Sequence, residues 1–325
     1  MVETQSPEET IELAIVGMVD GNGHPYSWSA IVNGYDPAKM ADCPYPVIPE
    51  YLGEQPLDQV SIPNVSVSHI WTDNPEDARD VAACTYIENI VDKPEEVIGE
   101  VDGIIIPTDD GDNHVSRVKP FIGTSTPVFV DKPLATNTDD LRQFIQWYSE
   151  GHPLASSSAV RYAPKLDSLS KEWPSLGEVK WLTNATHKTW KRYGIHRLEP
   201  ISGLLGPGFK SVNCISDSET EIYTITHRSG STISVGVHEK LRGGAGRLTV
   251  YGTKKDYSFK TSDTYAMFRH QLLAITDFVR TGKPDIPFEE TVDLMACIIA
   301  GRQSKKQNKS ISVSSIYDSL PMNPP

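Results

Sequence analysis

IELAIVGMVDGNGHPYSW, residues 11–28, decides how the chain begins to fold. Its first six residues, Ile11 to Val16, read as a buried strand, and three glycines follow within seven positions: Gly17, Gly21 and Gly23. Pro25 suits the first turn of a helix that continues through SWSAIVNG and stops at Gly34. Strand, glycine turn and helix in this order open a nucleotide-binding unit, where free N–H groups face a phosphate. The G-x-G-x-x-G spacing is nonetheless broken. Met18 and Val19 follow Gly17, and Tyr26 stands where the third glycine after Gly21 and Gly23 belongs. Gly17 is therefore expected to make the exit from the strand. Val19, Asp20, Gly21, Asn22 and Gly23 are candidates for an atypical cofactor turn, which their spacing alone does not establish and which rests on the lysine 115 residues after Gly17. In it Asp20 points away from a pyrophosphate or meets a ribose hydroxyl, and His24 or Tyr26 reaches the ligand cleft.

The 325 residues suit two domains of ordinary size, and 38% hydrophobic with 22% charged content is that of a soluble globular protein. No apolar run approaches the roughly 20 residues that span a bilayer, so no membrane partner is expected. The opening MVETQSPEET is acidic and polar, unlike a signal peptide, which points to a cytoplasmic protein. A net charge of −13 argues against nucleic acid as a partner. Cys43, Cys84, Cys214 and Cys297 are far apart and without C-x-x-C spacing, so they read as reduced, buried thiols rather than metal ligands.

Residues 11–135 alternate strand and helix, with strands expected at 12–17, 65–71, 102–108 and 127–131. Helices are expected over PEEVIGEV, with Asp92 as N-cap, and over HVSRVKPFIG, closed by Gly123. Such alternation predicts a parallel α/β sheet with ligands at the carboxyl ends of its strands. The segment 36–64 carries six prolines and no periodicity, and reads either as a functional lid or as an insertion packed down through Tyr45, Tyr51 and Leu52. Residues 1–10 are expected to be disordered. Over 136–325 the pattern becomes α+β. A helical stripe of Leu141, Phe144, Ile145 and Tyr148 precedes GEVKWLT, EIYTITH, STISVGVHE and RLTVYG, whose alternation predicts a mainly antiparallel sheet with one wetter face. Closing helices lie within 263–303, one with Phe268, Leu272, Ile275 and Val279 on a face, the other with Val292, Met295, Ala296 and Ile299.

The words at the junction carry a family resemblance. PVFVDKPLATNTDDL resembles the strand-end motif E-K-P-L-A of the glucose-fructose oxidoreductase, inositol dehydrogenase and rhizopine-catabolism (Gfo/Idh/MocA) family, with Asp131 in place of Glu. IIIPTDDGDNHVSRV is similar to that family's fourth strand and T-P-x-x-x-H turn, HPLASSSAVRYAP to the strand opening its second domain, and LGEVKWL to its G-E-I segment. RYGIHRLEPISGLLGPGFKSV resembles D-x-G-x-H-x-x-D followed by L-x-G, and residues 278–313 resemble the closing helices. The resemblance implies a Rossmann domain followed by an open-faced antiparallel sheet domain. It also implies oxidation or reduction of a hydroxyl on a sugar, sugar acid or cyclitol with NAD or NADP, and a homodimer or homotetramer built through the second sheet.

Hydride transfer from a carbinol needs a base for the hydroxyl proton and a cation that lowers its pKa. Lys132 at the end of the last parallel strand is placed for the cation, and His196 for the proton shuttle. The resemblance adds Thr108, His114 and Asp131 to the cofactor side. Arg192 replaces the family's catalytic Asp four residues before His196, and Glu199 replaces the Asp three residues after it. An Arg stays protonated, so Arg192 reads as a holder of a substrate carboxylate or phosphate. THKTWKRYGIH gathers His187, Trp190, Arg192 and His196, and with Arg161 and Glu199 makes a candidate pocket for a polyhydroxylated or acidic ligand. A solvated basic loop is the plain alternative. Asp73 follows the second strand and would bind an adenosine ribose, favouring NAD. Asp36 competes because it lies 19 residues after Gly17, but no strand precedes it. Two further readings stay open: a dinucleotide- and sugar-binding sensor without turnover, and a lyase or epimerase that recycles bound NAD.

Overall fold

The computed structural model describes residues 10–217, 219–241 and 246–325, so the N-terminal stretch expected to be disordered lies outside the described residues apart from Thr10. The opening strand is Ile11–Val16 (β1), and its last four residues are buried. It is joined by Val65–Trp71 (β2), Asn89–Ile90 (β3), Gly103–Ile106 (β4), Val128–Val130 (β5) and Leu154–Ala155 (β6). The order is β3-β2-β1-β4-β5-β6 and every pairing is parallel. This is the doubly wound arrangement, in which the carboxyl ends of β1, β4 and β5 form one crevice. The strand expected to open the second unit is β6, which pairs with β5 instead. The first sheet thus takes its sixth strand from beyond residue 135.

Helix His24–Asn33 follows β1, with Pro25 in its first turn and Gly34 at its C-cap at φ +84°. Two helical expectations were too long. Only Pro94–Val97 of PEEVIGEV is helical, as a 3-10 turn with Lys93 rather than Asp92 at its cap, and Gly99 at φ +85° ends it. The second expected helix is His114–Val118 followed by a 3-10 turn at Lys119–Phe121, since Pro120 cannot supply the next N–H. The insertion packs down: Asp36 caps helix Pro37–Met40, and helix Val47–Gly53 buries Ile48, Tyr51 and Leu52. Asp36 accepts from Ala38 N and Lys39 N through Oδ1, the role of a helix cap.

The second sheet comprises Val179–Thr186 (β7), Phe209–Ser216 (β8), Thr220–His227 (β9), Thr232–His238 (β10), Arg247–Gly252 (β11), Asp256–Lys260 (β12) and Ile311–Ser312 (β13). Its order is β12-β11-β7-β10-β9-β8-β13, antiparallel except for β10 beside β7. One face carries Leu182, Tyr223, Ile225, Val235 and Val250, all buried, and helix Phe288–Gln307 lies against β8. The other face is open. On it Trp181, 42% exposed, stacks on Tyr251 at 4.9 Å between ring centroids. Helix Phe288–Gln307 is buried nearly all round, including Val292, Met295, Ala296 and Ile299. The four cysteines are buried thiols.

Candidate active site

Three strand ends and one helix start deliver the polar groups. Immediately after β5, Asp131 and Lys132 are both buried, and Lys132 Nζ lies 3.3 Å from Asp131 Oδ2 and 3.7 Å from Asp109 Oδ2 of the loop after β4. His24, at the start of the first helix, brings Nδ1 to 2.9 Å from Asp131 Oδ2 and stacks on Trp28. Asn22 holds that turn by accepting from His24 N and donating to Pro107 O, both at 2.9 Å. Burial opposes the charge on Lys132, but Asp131 and Asp109 outweigh it and raise its pKa, so the ammonium persists. Burial likewise opposes ionisation of Asp109, yet Lys132 and Arg192 hold it well below the usual carboxylate range.

The facing wall comes from β7 and the helices after it. His196 Nδ1 is 2.6 Å from Ser158 Oγ, and Tyr193 lies between His187 and His196, with ring centroids at 4.8 and 5.0 Å. Burial first, then Lys132 and Arg197, push the His196 pKa well down, so its imidazole is neutral. Behind it, Ser158 N donates to Glu199 Oε1 at 3.0 Å. Arg161 donates to Glu290 at 2.5 Å and lies 3.7 Å from Glu199. Burial pushes Glu199 up to about 7 in spite of Arg161.

These walls enclose a cavity of about 320 Å³ lined by Gly21–Gly23, His24, Asp109, Asp131, Lys132, His187, Tyr193, His196 and Arg197. Tyr45, Val47, Ile48 and Tyr51 of the insertion close one side together with Met267, Phe268 and Gln271 of helix Thr264–Thr281. The insertion is therefore both packed down and part of the site. Lys132, His196, His187, Asp131, Gly21, Asn22 and Gly23 meet here as the sequence suggests.

Four expected ligand contacts do not. Trp190 is buried away from the cavity: it stacks on Tyr223 at 3.9 Å, and its Nε1 donates to Ile298 O. Glu199 and Arg161 are absorbed by Ser158, Glu290 and one another, and neither lines the cavity. Arg192 makes a two-pronged contact with Asp109, its Nε at 2.7 Å from Oδ2, and so has no free fork for a substrate acid. With Val19, Asp20 and Lys191 it lines a neighbouring hollow. Tyr26 turns into the core against Tyr45, leaving His24 to reach the cleft. Reading for motifs missed Asp109, Tyr193, Ser158 and Arg197. The signals available were the Asp109-Asp110 pair directly after a strand and the cationic neighbour of His196.

The outer crevice fits a dinucleotide. Gly17 has φ +101°, and a Cβ there would meet Arg117 Nη1 at 2.8 Å and Thr108 Cγ2 at 3.2 Å, so only glycine keeps this backbone open. Thr108 Oγ1 beside it is buried with no hydrogen-bond partner among the described residues. Asp73, following β2, accepts from Met18 N and from Arg117 at the rim of a cleft of about 410 Å³ bordered by Val16 and Trp71. His114 is buried between Leu134 O and Thr108 O, so it ties the two strand-end loops together rather than touching a ligand.

The family model described as "Oxidoreductase family, NAD-binding Rossmann fold" (GFO_IDH_MocA) matches residues 52–156. No curated protein matches the sequence. Among solved structures, scyllo-inositol dehydrogenase from Lactobacillus casei with bound NAD(H) and scyllo-inositol is similar at TM-score 0.73 and 10% identity, covering 94% of this chain and 99% of that one. Myo-inositol 2-dehydrogenase from Lactobacillus plantarum matches at TM-score 0.73 and 12% identity, with coverage of 94% and 99%. A myo-inositol dehydrogenase from Corynebacterium glutamicum matches at TM-score 0.70 and 15% identity, with coverage of 93% and 98%. At these identities the likeness speaks for the fold.

Proposed function

We propose that this chain is a Gfo/Idh/MocA-type NAD-binding oxidoreductase, the family whose model matches residues 52–156, and that it interconverts a hydroxyl and a keto group on a small sugar-like or cyclitol-like substrate. The observation that carries this reading is the charged Lys132 facing neutral His196 across one cavity that opens at the carboxyl ends of the parallel strands. NAD, when bound, supplies a hydride acceptor for the carbinol carbon. Gly17, the Gly21–Gly23 turn, Thr108 and Asp73 are the residues that would hold it. Asp73, placed at the end of β2, would accept from a ribose hydroxyl and repel a 2′-phosphate, which favours NAD over NADP.

Lys132 donates to the substrate oxygen and stabilises negative charge as it develops there. His196 takes the hydroxyl proton. For that its Nε2 must be bare, which places the ring proton on Nδ1, donating to Ser158 Oγ at 2.6 Å. The N–H of Val160 donates to the same Oγ, and Glu199 accepts from the Ser158 N–H, so the serine that orients the imidazole is itself held at two points. Asp131 and Asp109 keep Lys132 charged, and His24 braces Asp131. A second copy of the chain is the expected cover for the open face bearing Trp181 and Tyr251.

The test is a panel of sugars, sugar acids and cyclitols assayed for reduced-nicotinamide absorbance, repeated with Lys132→Met. Turnover should fall by about 10²–10⁴-fold in the variant while NAD still quenches the protein's fluorescence. Undiminished turnover in Lys132→Met would remove Lys132 from the chemistry. Binding of NAD with no turnover of any panel member by the native protein would favour the sensor reading.

A further inference from the structure

Arg197 stands out among the charged groups of the cavity. It is 3% exposed and lines the cavity, and its Nε is buried with no hydrogen-bond partner among the described residues. The cavity's carboxylates are already matched. Asp109 is engaged by Arg192 and Lys132, and Asp131 lies beside Lys132 and His24. Two acids thus face two permanent cations, Lys132 and Arg192, and the Arg197 charge is left in excess. A buried guanidinium without a counter-charge is costly unless an anion meets it. Burial lowers its pKa to about 10, which still leaves it charged at neutral pH.

We infer that the cavity takes a polyol bearing a carboxylate, and that Arg197 holds that carboxylate while Lys132 and His196 face the reacting hydroxyl. This deepens the oxidoreductase reading above and rests on it. One excess cation suits a monoanion better than a phosphate dianion, and about 320 Å³ accommodates a ligand of sugar size. The opposite side, made by Tyr45, Tyr51 and Phe268, offers ring faces to the C–H side of the same molecule. The role the sequence gives to Arg192 therefore passes to a residue five positions later on the next helix.

The experiment compares native protein with Arg197→Met and Arg197→Lys. In the presence of NAD, D-gluconate and D-glucuronate are set against D-glucose, myo-inositol and D-glucose 6-phosphate, with melting temperature and turnover as readouts. The native protein should be stabilised by the two acids and turn them over with a KM roughly a hundredfold below that of the neutral polyols. Arg197→Met without sugar should melt at or above the native temperature, because an unpaired buried charge has been removed, and should lose the acid preference. Arg197→Lys should retain a reduced preference, which covers the case in which the Met variant fails to fold. Equal use of acids and neutral polyols overturns the inference and leaves the oxidoreductase reading intact, as does preference for the phosphate. Loss of the NAD-induced shift in Arg197→Met assigns the residue to the dinucleotide and overturns the inference too. Absence of nicotinamide reduction with every compound sinks the oxidoreductase reading, and the inference with it.

Discussion

Glu199→Gln should remove a pH-dependent weakness built in behind the candidate base. The Glu199 carboxyl is buried, accepts from Ser158 N at 3.0 Å and lies 3.7 Å from Arg161 Nη1. Burial lifts its pKa from 4.5 to about 7. At 1.36 kcal/mol per unit, the folded protein prefers the neutral acid by roughly 3 kcal/mol. Because the folded value is the higher one, the associated stability is fully present below about pH 4.5 and is lost as pH rises through 7. Between pH 5 and 8.5 the native protein should therefore lose roughly 2–3 kcal/mol through this one group. Gln keeps an oxygen for Ser158 N–H and does not ionise, while Arg161 keeps Glu290. Urea unfolding of both proteins across that pH range isolates the effect, since all other titrating groups are common to the two. The stability difference should swing in favour of Glu199→Gln by that amount on going from pH 5 to 8.5. Parallel stability curves would refute the burial assigned to Glu199 and, with it, the account of what steadies Ser158 and His196.

Two other substitutions test the crevice and the core. Asp73→Asn removes the negative charge at the end of β2 and frees Arg117, now 2.9 Å from the carboxylate, so the NADP-to-NAD ratio of kcat/KM should rise about tenfold; an unchanged ratio would take Asp73 away from the ribose. Gly301→Ala would drive a methyl group into the Trp190 indole and its Nε1 contact with Ile298 O, so thermal unfolding should show a loss of about 2 kcal/mol despite the better helix propensity; a stabilised variant would show that the indole can yield.

Much of the fold was legible because periodicity is a local property. The run VSVSHIW gave β2 with its ends in place, and Pro25 and Gly34 bounded the first helix. The two-residue strands β3 and β6 are too short to carry a period and exist because longer neighbours offer them an edge. The insertion was opaque for a related reason: prolines at 37 and 49 lie inside single-turn or two-turn helices, where the interval between breakers is shorter than any detectable stripe. Its contribution to the cavity depends on packing against Phe268, more than 200 residues away in the chain.

The site was legible where the backbone alone decides position, and opaque where side chains compete for one another. A strand end fixes Lys132, and a turn fixes Gly21 to His24, wherever their partners lie. THKTWKRYGIHR is different, because helical geometry parts its residues to opposite sides. Trp190 enters the core through the space left by Gly301. Arg192 reaches back to Asp109, an acid 83 positions earlier that no local pattern marks as its partner. Arg197 reaches the cavity and finds no acid among the described residues. The cluster's net charge could be counted from the sequence, but which charge survives neutralisation depends on Asp109 and Asp131 arriving from the first sheet. That surplus bears on substrate choice, because only a cation left unpaired in the folded protein gives an anionic ligand an advantage over a neutral one.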